Sequence, residues 1–494
     1  MELEQKIAII RKKRLTSEDT VSTCHSALSA QRRVPIEIWE IIFSNACHPY
    51  SFLIDYVRDD SDDDDEYIVE APALVLSHVC SRWRKIMKGT PSLWSSISVT
   101  FVDSFSKMSK AINTYLTNAA DYPLNMRLLR RLGDYYYFLQ ESPDVAAWET
   151  LSRHFCRCRT LTLAVPNLSG FVEIGYLSFP HLKSIYEETD PGPQKQFRWF
   201  WGAVEHEAPL LTRVVLWDFD FSLPFSQITS LEVRRVPPGD IQLIHAELPA
   251  CDKLEELSLW NLSDWSEDDG LSTERNLVRV GSLRKLCIYD EENPLMPYNK
   301  ALSTFINATL LPSLTSFELR CHDWPPSLAT LAERSPLLES VSLTIRSPAS
   351  ADFSLRPLFT FLHALPELKH VELCMGRFDS PSGLGDDMLA ILLAHLETKS
   401  KIVFPKLESL SLRLSDLTLD TETVEKVSKV VSERRSVSPT LKEFCLLRDP
   451  TLDLAREMLG APYERFVLEP ALAGRLRDLE RDLGIKVVIK NVIL

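Results

Sequence analysis

Three places in the sequence gather residue types that could do chemistry. His154, Cys156 and Cys158 stand together in RHFCRCR, and thiolates with an imidazole are the donors structural zinc takes. A tetrahedral site needs four such ligands, and no second pair at matching spacing accompanies this CxC, so no metal is expected. The run DDSDDDDE, Asp59 to Glu66, sets seven carboxylates around Ser61. An EF-hand loop requires a glycine at its sharp turn and a properly spaced terminal Glu, which the run lacks, and mutual repulsion makes it a solvated loop. The third place is a set of Trp, Tyr and Arg residues recurring at one offset within a repeat. Patterns of the GxSxG, HExxH, GxxxxGK[ST] and GxGxxG kinds are absent, and glycine is scarce at 15 residues, so nucleophile elbows and phosphate cradles have no support. No catalysis and no cofactor are expected, which leaves binding.

The elements that would present those residues follow from periodicity. From Cys158 onward an apolar, two residues, apolar, one residue, apolar pattern recurs, usually with proline two places ahead: PHLKSIYE from Pro180, PLLTRVVL from Pro209, PSLTSFEL from Pro312, PLLESVSL from Pro336, PELKHVEL from Pro366, PKLESLSL from Pro405 and PTLKEFCL from Pro439. CRTLTL, ITSLEV, KLEELSL and SLRKLCI lack the proline. Alternation such as Leu257 and Leu259, or Leu410 and Leu412, predicts short strands buried on one face. Intervening ALSTFINATLL and DMLAILLAHLETKS read as helices. One strand and one helix cannot bury their own apolar faces, but stacked units make a parallel sheet with a continuous core; the spacing brackets the period of about 20 to 29 of leucine-rich repeats. The unit at Leu407 fits best, with Leu410, Leu412 and Leu417 in place and Ser415 where asparagine is usual. IKVVIK, with Ile485, Val487 and Ile489, predicts a closing edge strand whose lysines discourage further pairing.

In each strand the residue after the last inward leucine points outward, and these positions read Trp217, Arg234, Trp260, Tyr289, Arg320, Thr344, Cys374 and Arg413. Parallel stacking sets them in one column. Trp, Tyr and Arg dominate binding hot spots, so Trp217, Arg234, Trp260, Tyr289, Arg320 and Arg413 are the candidate target-binding residues. The bland reading is that loops fold over some of them. Replacing Trp260 and Tyr289 together by Ala is expected to abolish target binding with stability nearly unchanged.

With 494 residues, the chain exceeds one compact core, and a repeat array accommodates that length. A net charge of -14 disfavours a general nucleic-acid or anionic-membrane binder. No run of about 18 apolar residues exists, and Ile7 to Ile10 is too short for a signal peptide, so cytoplasm and/or nucleus is the expected location. The 10 cysteines are scattered within apolar patterns, as in a reducing compartment. Leu3, Ile7 and Ile10 predict, over 1–32, an amphipathic N-terminal helix with a loose connection after it, a helix whose face is expected to cover the next module. Within 33–100, Ile38, Trp39, Ile41, Ile42 and Phe43 form a broad apolar stripe after Pro35, and Leu74, Leu76, Val79, Trp83 and Ile86 predict one further helix ending at Gly89. Residues 101–157 read as a helical linker or cap, and 158–494 as the solenoid.

VPIEIWEIIF followed by LSHVCSRWRKIMKGTPSLWSSISV resembles the F-box-like module common in fungal proteins, with its LPxE, IF, VCxxWR and PxLW pattern. Val34, Pro35, Glu37, Ile38, Ile42 and Phe43 stand on its first half, and Val79, Cys80, Trp83 and Trp94 on its second; valine replaces the usual leucine, and the acidic run at 59–66 lengthens the connection. The resemblance implies an α/β protein in which a small helical module docks on a Skp-type adaptor and through it a cullin, while divergent leucine-rich repeats receive an unknown protein substrate. Ser61, ahead of acidic residues, suits an acidophilic kinase, and a phosphate there would add charge beside the docking helices. The alternative is a binding scaffold without ligase, its F-box-like helices capping the solenoid.

Overall fold

The structure is a computed structural model that describes residues 2–28, 34–57, 66–101, 105–130, 145–164, 177–188, 198–219, 222–237, 240–262, 277–290, 300–321, 324–345, 356–375, 405–414, 440–448, 481 and 486–491. It divides into two compact units, Met1–Leu182 and Lys183–Leu494. Both are α/β, each with a mainly parallel sheet. Ser61 and most of the acidic run lie outside the described residues, as does Ile485.

In the first unit, α1 spans Glu2–Leu28 and α2 spans Ile36–Ala46, with Pro35 setting the extended entry to α2 (φ -55, ψ 154). α3 (Pro72–Val79) and α4 (Ser81–Gly89) replace the single helix expected there. Cys80 separates them with extended backbone (φ -157, ψ 167), and its Sγ accepts the amide of Trp83 at 3.4 Å. A side chain that caps the following helix competes with continuing the preceding one, which is the physical reason for the break. Two strands that the sequence reading missed flank the acidic run, β1 (Phe52–Val57) and β2 (Glu66–Glu70), paired antiparallel.

β1 also pairs parallel with β3 (Ser96–Phe101), which pairs with β4 (Leu124–Arg130), which pairs with β5 (Cys158–Ala164). Between them lie α5 (Phe105–Asn118) and α6 (Val145–Ser152). The segment 101–157, expected to be a helical linker or cap, therefore also holds a strand beside its helices. That strand has Leu124, Met126 and Leu128 buried at period two. MRLLR hides this signal because charged Arg127 and Arg130 interrupt an otherwise apolar run.

The second unit orders its strands as they occur: β6 (Ser184–Glu187), β7 (Arg213–Leu216), β8 (Ser230–Val233), β9 (Glu256–Trp260), then, past the short β10 (Val278–Arg279), β11 (Lys285–Tyr289). After the short β12 (Thr309–Leu310), which pairs with β10, come β13 (Ser316–Cys321), β14 (Ser340–Ile345), β15 (His370–Met375), β16 (Ser409–Leu414), β17 (Glu443–Arg448) and β18 (Lys486–Asn491). Every pairing in this run is parallel, and β18 closes the order as the edge expected from IKVVIK. The helices α7 (Arg198–Glu207), α8 (Asp240–Glu247), α9 (Lys300–Ala308), α10 (Leu328–Arg334) and α11 (Arg356–His363) lie in five of the crossovers.

The leading leucine of each motif is fully buried at the mouth of its strand: Leu211, Leu254, Leu283, Leu314, Leu338, Leu368, Leu407 and Leu441. A carbonyl in each turn accepts two amides from the next unit, as Glu255 O does from Arg284 N and Lys285 N, both at 2.9 Å, and Arg284 O from Thr315 N and Ser316 N, again at 2.9 Å. The chain of such carbonyls runs from Lys183 through Thr212, Thr229, Glu255, Arg284, Thr315, Glu339 and Lys369 to Glu408. Backbone pairing satisfies the turns, so side chains at those positions are free to vary.

Candidate functional site

α2 is apolar on two opposite faces, and among the described residues only one is covered. Trp39 and Phe43 are buried, and their rings meet that of Trp83 at 5.0 and 4.9 Å. Ile38, Ile41 and Ile42, one turn of helix on the other side, are exposed by 45%, 58% and 45%. Ile36 is exposed as well. α3 repeats the arrangement: Ala73 and Ser77 are buried, while Val75 and Val79, likewise four apart, are exposed.

Contacts across the module hold these helices in place. The Arg82 guanidinium donates to the Val34 carbonyl at 2.8 Å, the Thr90 hydroxyl to Glu40 Oε1 at 3.0 Å, and Arg84 Nε to the Ser77 carbonyl at 3.1 Å. Trp94 Nε1 donates to the Met87 carbonyl at 2.7 Å, and its ring lies 5.0 Å from that of Tyr115. The Tyr115 hydroxyl accepts the Leu74 amide at 3.0 Å, and burial pushes its ionisation up.

The residues named from the motif therefore separate. Pro35, Glu37, Ile38, Ile42, Val79 and Cys80 are exposed, and Val34 and Trp83 are half-buried. Phe43 and Trp94, expected at a docking surface, are instead 1% exposed and belong to the core. Sequence pattern cannot separate ring from isoleucine here, because both are apolar. Ile41 and Val75 were missed as surface residues; their spacing from Ile38 and Val79 was the available signal.

The described side chains of α1, Gln5 to Val21, are all exposed, and none of them is buried against this module. His154, Cys156 and Cys158 do not converge as ligands either. Cys156 is exposed, whereas Cys158 is buried with its Sγ 3.1 Å from Met126 Sδ. Burial, then the charges of Arg157 and Arg153, holds His154 below its ordinary pKa. Among the described residues no group of three His, Cys, Asp or Glu could hold a metal.

In the second unit the outward column forms by register. Tyr289 is paired with Trp260 on one side and Arg320 on the other, and the row continues to Thr344, Cys374 and Arg413. Trp260 and Tyr289 stack at 3.8 Å between centroids, and the Arg320 guanidinium lies 4.7 Å from the Tyr289 ring. Tyr289 is only 8% exposed and Cys374 is also buried, which corrects the expectation of a uniformly open column. Trp217 holds its place through its amide, which donates to Glu187 Oε2 at 2.9 Å; the indole nitrogens of Trp217 and Trp260 are buried without a hydrogen-bond partner.

Each arginine of the column is held by a carboxylate of the same face: Arg234 by Glu232 at 3.2 Å, Arg320 by Glu318 at 3.0 Å and Arg413 by Glu372 at 3.2 Å. Sequence reasoning missed these glutamates. The signal was Glu-x-Arg in LEVR and FELR, since a spacing of two puts both side chains on one face of a strand. Burial first, then the neighbouring Cys287 and Glu318, pushes the Tyr289 phenol up. The outer face is thus charge-paired locally, with aromatic surface at its middle.

No protein-family profile matches the chain, and no curated protein does. A solved structure described as "Crystal structure of TLR13-ssRNA13 complex" is similar over 71% of this chain and 60% of that one, at 12% identity and a TM-score of 0.21. The chain spans less than two thirds of that protein's length.

Proposed function

We propose that the chain is a non-enzymatic, substrate-receiving subunit of a Skp, cullin and F-box type ubiquitin ligase, docking a Skp-type adaptor through α2 and α3 and a target protein through the outer column of the second unit. One observation carries this reading: a folded helix whose aromatic face is buried turns Ile38, Ile41 and Ile42 to solvent. Isolated exposed apolar side chains are ordinary, but three on one helix face with Val75 and Val79 on the adjacent helix are the anchors of a helix-to-groove contact. No helix among the described residues is long and apolar enough to cross a membrane.

The test is adaptor binding by calorimetry with Ile38→Glu/Ile42→Glu against the unaltered chain. Charges desolvated at an apolar contact should weaken binding by about a hundredfold or more, with the circular dichroism spectrum unchanged. Equal affinity, or no binding by the unaltered chain, overturns the docking role.

A scaffold in which these helices only close the sheet is the second reading, and the pairing of β3 with β4 favours it. Deleting the first 100 residues does not separate the two, because it removes β1 and nearly all of β3 and opens an edge at β4 in either case. Point changes on the exposed face do separate them.

A further inference from the structure

The exposed α1 carries a seam of its own. Ile7, Ile10, Arg14, Ser17 and Val21 follow at alternating steps of three and four, the spacing that keeps one face of a helix against a partner helix. In sequence, Leu3, Cys24 and Leu28 continue those steps at both ends. Ile7, Ile10 and Val21 are all exposed, Ile10 by 66%, so nothing among the described residues covers the seam. Its 27 residues extend about 40 Å, close to four heptads.

We propose that α1 pairs antiparallel with α1 of a second copy of this chain, about a midpoint between Leu15 and Thr16. The seam is complementary to its own reverse. Ile10 of one copy meets Val21 of the other, and the polar pair Arg14 and Ser17 fall opposite each other at the centre. The flanking charges read the same way: Arg11 of one copy faces Glu18 of the other, twice by symmetry, and Lys13 faces Thr20. No like charges meet. A parallel pair would stack Arg14 on Arg14 and bring Lys6 beside Arg11, which opposes it. A foreign helix has no need of a charge pattern that is its own complement, and that selects a second copy as the occupant. The polar centre sets orientation at some cost in stability, so the dimer is reversible.

Sedimentation velocity of the full chain over a concentration series, with Arg11→Glu, Glu18→Arg and the double variant, tests this. Glu18 also pairs with Arg14 within its own helix at 2.7 Å, so circular dichroism accompanies each variant, and Arg11→Glu serves as the change that leaves that pair intact. The unaltered chain should show a concentration-dependent dimer. Each single variant should weaken it about tenfold, because two attractive pairs become two repulsive ones, and the double variant should restore it. A monomer at every concentration, a dimer indifferent to the single changes, or a double variant that stays monomeric overturns the proposal.

Discussion

Removing the rings of Trp260 and Tyr289, singly and together, probes the centre of the outer face. Tyr289 is 8% exposed, so Tyr289→Ala removes a largely buried aromatic and should cost about 3 kcal/mol or more. This corrects the expectation from sequence that both rings could be truncated with stability nearly intact. Trp260 is half-buried, and its truncation should cost about 2 kcal/mol. The two rings stack at 3.8 Å and 28°, an arrangement worth about 1 kcal/mol beyond area. Each single change already loses that stack, so the double variant should be about 1 kcal/mol less destabilised than the sum of the singles. Urea unfolding of the four proteins at a common slope measures it. Additivity within about 0.3 kcal/mol would refute a stack that stabilises. Arg320→Ala, read the same way, should couple to Tyr289 but not to Trp260, since its guanidinium lies over the tyrosine ring.

Phe43→Ala should destabilise the first unit by about 3 to 5 kcal/mol, while Ile41→Ser should cost less than about 1 kcal/mol, because the phenyl ring is buried and the isoleucine is mostly in water; similar unfolding midpoints would contradict the assignment of faces. His154 has a folded-state pKa below 6.5, so the folded chain holds fewer protons at this site than the unfolded one. Its contribution to stability is complete above about pH 6.5 and declines as pH falls from there toward the folded value. Melting temperatures between about pH 8 and pH 5 should fall less steeply for His154→Gln, and parallel curves would rule the residue out.

The period-two alternation of Leu257 with Leu259 and Leu410 with Leu412 located strands, and the leading proline and leucine located their turns, because each reports a local geometric demand. The same locality made β18 legible from IKVVIK. β1 and β2 escaped notice beside the acidic run, although Phe52, Ile54 and Tyr56 alternate, because FLIDYV is short and lies between two helical patterns. Cys80 could equally sit inside a helix or cap one, and the local sequence does not say which; in the structure its Sγ caps α4.

Hydrophobicity and repeat spacing belong to the chain itself, and they determined that short parallel strands would recur from Cys158 onward; that β1 to β4 stand among the earlier helices was decided by tertiary pairing. Which apolar side chain is hidden is a property of what packs against it. Trp39 and Ile38 are neighbours of similar hydrophobicity, yet Trp83 covers one and nothing described covers the other. Tyr289 likewise lost most of its exposure to Trp260 and Arg320, which lie 29 and 31 residues away and become adjacent only when parallel strands come into register.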